Sequence, residues 1–165
     1  MNNPKPNRRS FMRGSLTGTL AAGSVALALP SSAAGGQAAE KKVITRPGQT
    51  ITPATILSPA IQFGNLLFVS GAGAQDPDTH KVVPGPISNQ VKQCLENLKV
   101  VLVAGGSSLD KVLKCTVFLT DIANFQAMNE VYHQYFPANP PARSTIAVKD
   151  LPGESPVEIE CIAYV

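Results

Sequence analysis

The stretch PPARSTIAVKDLPGESPVEIECIAYV, residues 140–165, carries the densest signal in the chain. Arg143 stands between a double proline and a run, Arg143 to Val148, that alternates as a strand does. After the turn-like LPGESP segment, a second alternating run from Val157 to Tyr164 places Glu158 and Glu160 two residues apart, and so on one face of a sheet. A guanidinium at the start of a strand suits a planar carboxylate ligand, because its forked donors match both oxygens. Periodicity alone is met equally well by a surface arginine and a solvated pair of glutamates.

Working outward, Leu66 to Ser70 (LLFVS) is a short apolar run closed by Gly71 and Gly73, which predicts a buried strand. Lys42 to Ile51 predicts an extended lead-in with a short strand and a turn, whereas residues 53–63 hold two prolines and little periodicity. QDPDTHKVVPG, residues 75–85, is a turn-rich hairpin or loop. Ser88 to Ala104 predicts a helix, since Ile87, Val91, Cys94, Leu95, Leu98, Val101 and Leu102 recur at the spacing of one apolar face. Ser88 is its expected N-cap and Gly105-Gly106 its stop. Val112 to Thr120 predicts a strand. Asp121 is then expected to cap a second helix, Ile122 to Phe136, with Ile122, Phe125, Met128, Val131, Tyr132 and Tyr135 turned inward. This order implies an α+β fold, a mixed β-sheet with both helices packed on one face and the other face in need of cover.

The first 39 residues are of another kind. Lys5, Arg8, Arg9 and Arg13 precede an uncharged segment, Ser15 to Leu29, and small residues around Ala33 and Ala39 follow. Basic start, apolar middle and small-residue end are the layout of an export signal, and NRRSFMRG matches the twin-arginine type. The reading is therefore an export signal over residues 1–39, cleaved after Ala33 or Ala39, and a domain over residues 40–165 that is periplasmic or secreted. An apolar middle of about fifteen residues falls short of the roughly twenty that a membrane span needs. No stable membrane association is expected after cleavage.

The net charge of +3 belongs to that segment, because residues 40–165 hold ten bases against eleven acids. A nucleic-acid partner, which asks for a basic stripe, is not expected. Cys94, Cys115 and Cys161 are odd in number, lack CxxC spacing and sit among apolar neighbours, so buried thiols are expected rather than a disulfide framework. His80 and His133 stand far apart without further ligands at metal spacing, and no GxSxG or phosphate-loop pattern occurs. Neither a metal nor another cofactor is expected.

PARSTIAVKDLP followed by VEIECIA, together with LLFVSGAG (66–73) and the run from Gln90 to Tyr132, resembles the RidA/YjgF family of reactive-intermediate imine deaminases, in the family's order and over residues 43–165. The resemblance implies a chorismate-mutase-like homotrimer with a barrel-like centre and a cleft at each subunit boundary. It implies hydrolysis of small imino or enamine acids, of the 2-aminoacrylate and 2-iminopropanoate type, to keto acid and ammonia. Arg143 matches the family's carboxylate-binding arginine, and Glu158 the glutamate that orients water or passes protons. Asn129, Ser70, Gly71 and Thr145 fall on substrate-binding positions. Three departures stand out: Thr145 replaces a frequent cysteine, Ala60 a pocket tyrosine and Ala72 a glutamine. A trimeric module that binds a small carboxylate without turnover is the alternative, and an endoribonuclease-like role a further one.

Overall fold

The computed structural model describes residues 40–165. The expected export segment, with Arg8 and Arg9, lies outside the described residues.

Six strands form one mixed sheet in the order β1-β2-β3-β6-β4-β5. They are β1 (Lys41–Ile44), β2 (Ala60–Phe63), β3 (Leu66–Gly73), β4 (Val112–Leu119), β5 (Ala142–Ala147) and β6 (Val157–Tyr164). All neighbours pair antiparallel except β4 and β5, which run parallel. Two helices, α1 (Ile87–Ala104) and α2 (Phe125–Tyr135), pack on one face, α1 lying on β3 and β6 and against α2. This is the α+β arrangement that the hydrophobic pattern implies.

Alternation in β6 explains the layering. Val157, Ile159, Cys161 and Ala163 are buried beneath the helices, while Glu158, Glu160, Ile162 and Tyr164 point to the other side. The apolar stripe of α1 is buried in full from Val91 to Leu102, and each large aliphatic side chain so placed contributes about 1.5–3 kcal/mol. Leu67, Val117, Leu119 and Met128 complete this core. The helix ends where Gly105 lets it approach β3, since a Cβ there would meet Leu67 Cδ2 at 2.6 Å. Gly106 follows at φ 77°, a left-handed turn that glycine adopts without strain.

Among the described residues no helix lies on the opposite sheet face. Val43, Phe68 and Ile146 are exposed there, with Ile61, Phe118 and Ile162 half-buried beside them.

Several local expectations need correction. The N-cap of α1 is Pro86, not Ser88, and no side chain caps the helix. Asp121 does cap, accepting from the Ala123 N–H at 2.9 Å, but it caps a 3-10 turn, Ile122–Asn124, and α2 begins only at Phe125. That tighter turn rotates the register, so Ile122 and Phe125 are exposed rather than core. The lead-in strand stops at Ile44, and β2 lies in a segment read as irregular. Gly73 closes β3, but Gly71 does not. The strand continues through a bulge, because Val69 faces Cys161 while Ala72 faces Ile159.

Candidate active site

Arg143 sits on the edge strand β5, in register with Cys115 of β4, and therefore on the helix side of the sheet. Its guanidinium is held by α2. Nη2 donates to Asn129 Oδ1 at 2.6 Å, and Nη1 reaches Met128 Sδ at 3.7 Å. The Tyr132 ring lies beneath it, 4.5 Å from centroid to Cζ, and the Phe125 ring 5.7 Å away. Phe125, Asn129 and Tyr132 follow one another at helical spacing, so a single face of α2 builds the whole cradle. No carboxylate shares it. Among the described residues the ion pair is Lys99–Glu96, on α1. Arg143 thus keeps several unused donors in front of a 410 Å3 cleft lined by Asn129, Tyr132, His133, Phe136, Pro140 and Pro141.

Two buried hydroxyls near this cation have no hydrogen-bond partner, Thr145 Oγ1 and Tyr132 Oη. Thr145 lies two residues beyond Arg143 and so on the same face of β5. Burial, and then the Cys115 thiol beside it, push the Tyr132 hydroxyl far above its ordinary range, so that it remains protonated. Cys94, Cys115 and Cys161 are buried free thiols. Burial pushes Cys161 up to about 12, which leaves it inert as a nucleophile.

Glu158 belongs to a different half. It stands on the face of β6 away from the helices, opposite Phe118, and its carboxylate packs directly over Gly71. Burial, and then the neighbouring Glu160, raise its pKa above the ordinary glutamate value. Ser70 precedes Gly71 in the bulge. Its hydroxyl donates to the Ser58 carbonyl at 2.7 Å and its N–H to the Pro59 carbonyl at 3.0 Å. Ser70 therefore anchors the 51–59 loop beside Glu158.

The six residues singled out from the sequence thus form two groups. Arg143, Asn129 and Thr145 gather on the helix side of β5, while Glu158, Ser70 and Gly71 gather at the β3–β6 bulge. Within one chain the two groups lie on opposite faces of the sheet and do not converge. The family model described as endoribonuclease L-PSP matches residues 47–165. This chain belongs to that family, the RidA/YjgF proteins.

Similar RidA/YjgF proteins include a RutC family protein of Pyrococcus horikoshii, 48% identical over 107 residues that cover 65% of this chain and 85% of the relative. Reactive Intermediate Deaminase A of the Arabidopsis thaliana chloroplast is 44% identical over 106 residues, 64% of this chain and 57% of the relative. Among solved structures, Escherichia coli TdcF with bound serine is 36% identical at a TM-score of 0.66, over 75% of this chain and 98% of that one. RidA from an Antarctic Psychrobacter is 34% identical at a TM-score of 0.68, over 75% and 99%.

Against the RidA/YjgF pattern the three departures differ in kind. Ala60 and Ala72 are 1% and 2% exposed, so neither offers a side chain to an open pocket wall. Thr145 does bring a new polar atom beside the arginine. Sequence reasoning placed Tyr132 in the helix core and missed it as the platform under Arg143. Its spacing of three from Asn129 was the available signal.

Proposed function

We propose that this chain hydrolyses 2-imino and enamine carboxylic acids to the keto acid and ammonia, at sites completed by a second copy in a homotrimer. The observation that carries this reading is the Arg143 guanidinium, stacked on Tyr132 and bonded to Asn129, with no acidic partner of its own. A free, oriented guanidinium is a receptor for a carboxylate. Glu158 supports the second function needed, because its raised pKa suits a base that takes a proton from water.

The reaction follows from these parts. Arg143 grips the substrate carboxylate and fixes the C2 carbon. Glu158 accepts a proton from water, the oxygen attacks C2, and the C=N π pair moves to nitrogen. The proton passes from Glu158 to nitrogen, giving a C2 carbinolamine. Glu158 then takes the C2 hydroxyl proton and delivers it to the amine, the C–N bond breaks, ammonia departs and the oxygen's freed pair forms the keto group. Water and imino acid are consumed, keto acid and ammonia are formed, and no redox step occurs.

Because the arginine and glutamate groups face opposite ways in one chain, the reaction needs Arg143 of one copy beside Glu158 of another. The uncovered sheet face, with Phe68, Ile146 and Ile162, supports such an assembly, since apolar surface of this kind is stabilised by burial against further copies. The segment 1–39 is assigned as a twin-arginine export signal on Arg8-Arg9-Ser10-Phe11 and its apolar middle. Arg8→Lys with Arg9→Lys is expected to hold the protein in the cytoplasm, and undiminished export of that variant would rule the route out.

The test of activity is ammonia and keto-acid release from freshly generated 2-iminopropanoate, with Arg143→Ala beside the parent. The reading expects acceleration that disappears with the arginine. A folded parent that binds keto acids but accelerates nothing would make this a carboxylate-binding module instead.

A further inference from the structure

We infer that Ile56 and Leu57 form an apolar wall for the substrate side chain and select 2-imino acids with branched aliphatic or aromatic side chains over 2-iminopropanoate. The inference rests on the deaminase reading and names the substrate class of that same site.

Position comes first. The loop carrying both residues is fastened to the Glu158 half by two bonds, Ser70 Oγ to the Ser58 carbonyl at 2.7 Å and Ser70 N–H to the Pro59 carbonyl at 3.0 Å. Ser70 is the immediate neighbour of Gly71, against which the Glu158 carboxylate packs. Leu57 is therefore one residue, and Ile56 two, from a point bonded to the reacting end of the site.

Chemistry comes second. Ile56 is 96% exposed and Leu57 61%, although both are large aliphatics. Their exposure is fixed by the loop rather than incidental to it. Thr55 N–H donates to the Thr52 carbonyl at 2.9 Å, and Thr52 N–H donates to Thr55 Oγ1 at 3.0 Å, closing a turn that holds the next two side chains outward. Covering such surface is favourable in proportion to its area, and a ligand's apolar group can provide the cover. The run Ile51 to Ala60 contains no charged residue, and its Thr55 hydroxyl is taken up within the turn by the Thr52 N–H, so no charge there would receive a charged substituent. The two nearby positions that could have supplied a bulky wall, Ala60 and Ala72, are buried.

The arginine half agrees. The 410 Å3 cleft in front of Arg143 carries Tyr132, Phe136, Pro140 and Pro141 on its wall, beside the polar Asn129 and His133, and has room for far more than the methyl group of 2-iminopropanoate. With the carboxylate on Arg143 and C2 facing Glu158, the remaining substituent meets Ile56 and Leu57 on one side and the aromatic and proline part of the cleft wall on the other. Imino acids with such substituents arise by two-electron oxidation of the Cα–N bond of amino acids. Elimination of the β-substituent of serine, cysteine or threonine leaves only short side chains. The reaction class that supplies this site is therefore amino-acid oxidation.

The test uses the purified protein and imines generated in place from alanine, leucine and phenylalanine by an amino-acid oxidase, with oxygen as acceptor and catalase to remove peroxide. The expected ratio of kcat/KM for the leucine- and phenylalanine-derived imines to that for the alanine-derived imine is about ten or more, the scale of discrimination by an apolar pocket. Ile56→Ser with Leu57→Ser is expected to bring that ratio close to one, while Ile56→Val with Leu57→Met keeps it. A loop of merely structural importance would lower all three rates together and leave the ratio unmoved. Equal rates on the three imines in the parent, or a ratio unaffected by the serine pair, would overturn the wall and leave the deaminase reading intact. Absence of hydrolysis of any imine would overturn both.

Discussion

Gly71→Ala separates the geometry of the glutamate from the stability of the fold. The backbone at Gly71 is one that any residue adopts, so alanine meets no conformational strain there. Its Cβ, however, would fall on the Glu158 carboxylate, 2.6 Å from Cδ and 3.0 Å from Cγ and closer still to Oε1. The colliding group is the free end of a flexible side chain, and it yields by rotating. An off-rotamer glutamate costs about 0.5–1.5 kcal/mol. Replacing glycine returns about 0.4–1 kcal/mol by restricting the unfolded chain. The net change in stability is therefore within about 1 kcal/mol, which moves the unfolding midpoint by roughly 2–4 °C in a domain near this size. Activity behaves otherwise. A catalytic group displaced by about an ångström loses on the order of 100-fold, and complete loss of a general base costs about 10²–10⁴-fold. Imine hydrolysis and thermal unfolding of Gly71→Ala, Glu158→Ala and the double variant decide the matter. In Glu158→Ala the colliding atoms are gone, so adding Gly71→Ala costs nothing further, and the two losses do not multiply. Full activity in Gly71→Ala, or losses that multiply in the double variant, would refute the reasoning.

Further outcomes follow from the same geometry. Tyr132→Leu removes the ring 4.5 Å beneath Arg143, worth about 0.5–2 kcal/mol as a cation–π contact, and is expected to raise KM more than it lowers kcat. Tyr132→Phe keeps the ring and removes a buried hydroxyl without a partner, so thermal unfolding should show stability held or raised by up to about 1 kcal/mol. Glu158 has a folded pKa above its ordinary value of 4.5, so the folded chain keeps a proton that the unfolded chain has already lost. Stability then falls as pH rises from that ordinary value through the raised one, and denaturant titration of Glu158→Gln should lack this decline. Catalysis runs the other way, rising as the carboxylate ionises, with a midpoint above the usual glutamate range.

Much of this fold was legible because its core is periodic. The buried set of α1 is the stripe that the spacing of Val91, Cys94, Leu95, Leu98, Val101 and Leu102 marks, and β6 keeps the bounds its alternation sets. What escaped was short or tertiary. The strand Ala60–Phe63 has four residues and no clean alternation, and it becomes a strand because β3 supplies its partner. The register of Ile122 and Phe125 was lost because a 3-10 turn advances by three residues rather than 3.6. Site residues were legible by type and motif, Arg143 and Glu158 above all. Their separation onto opposite faces was not, because it depends on β6 lying between β3 and β4 and on β5 running parallel to β4. Tyr132 reads as core until Arg143 is placed upon it.

The central claim is that each site takes its arginine from one copy and its glutamate from another, and subunit mixing tests it most directly. Arg143→Ala and Glu158→Ala proteins, each inactive alone, are unfolded together, refolded as a mixture and assayed for imine hydrolysis. In a cyclic trimer of randomly mixed subunits, about one boundary in four brings an intact Arg143 against an intact Glu158. The account predicts that about a quarter of parental activity returns on mixing. A mixture as inactive as its components would contradict it, since every chain would then need both residues for a site of its own.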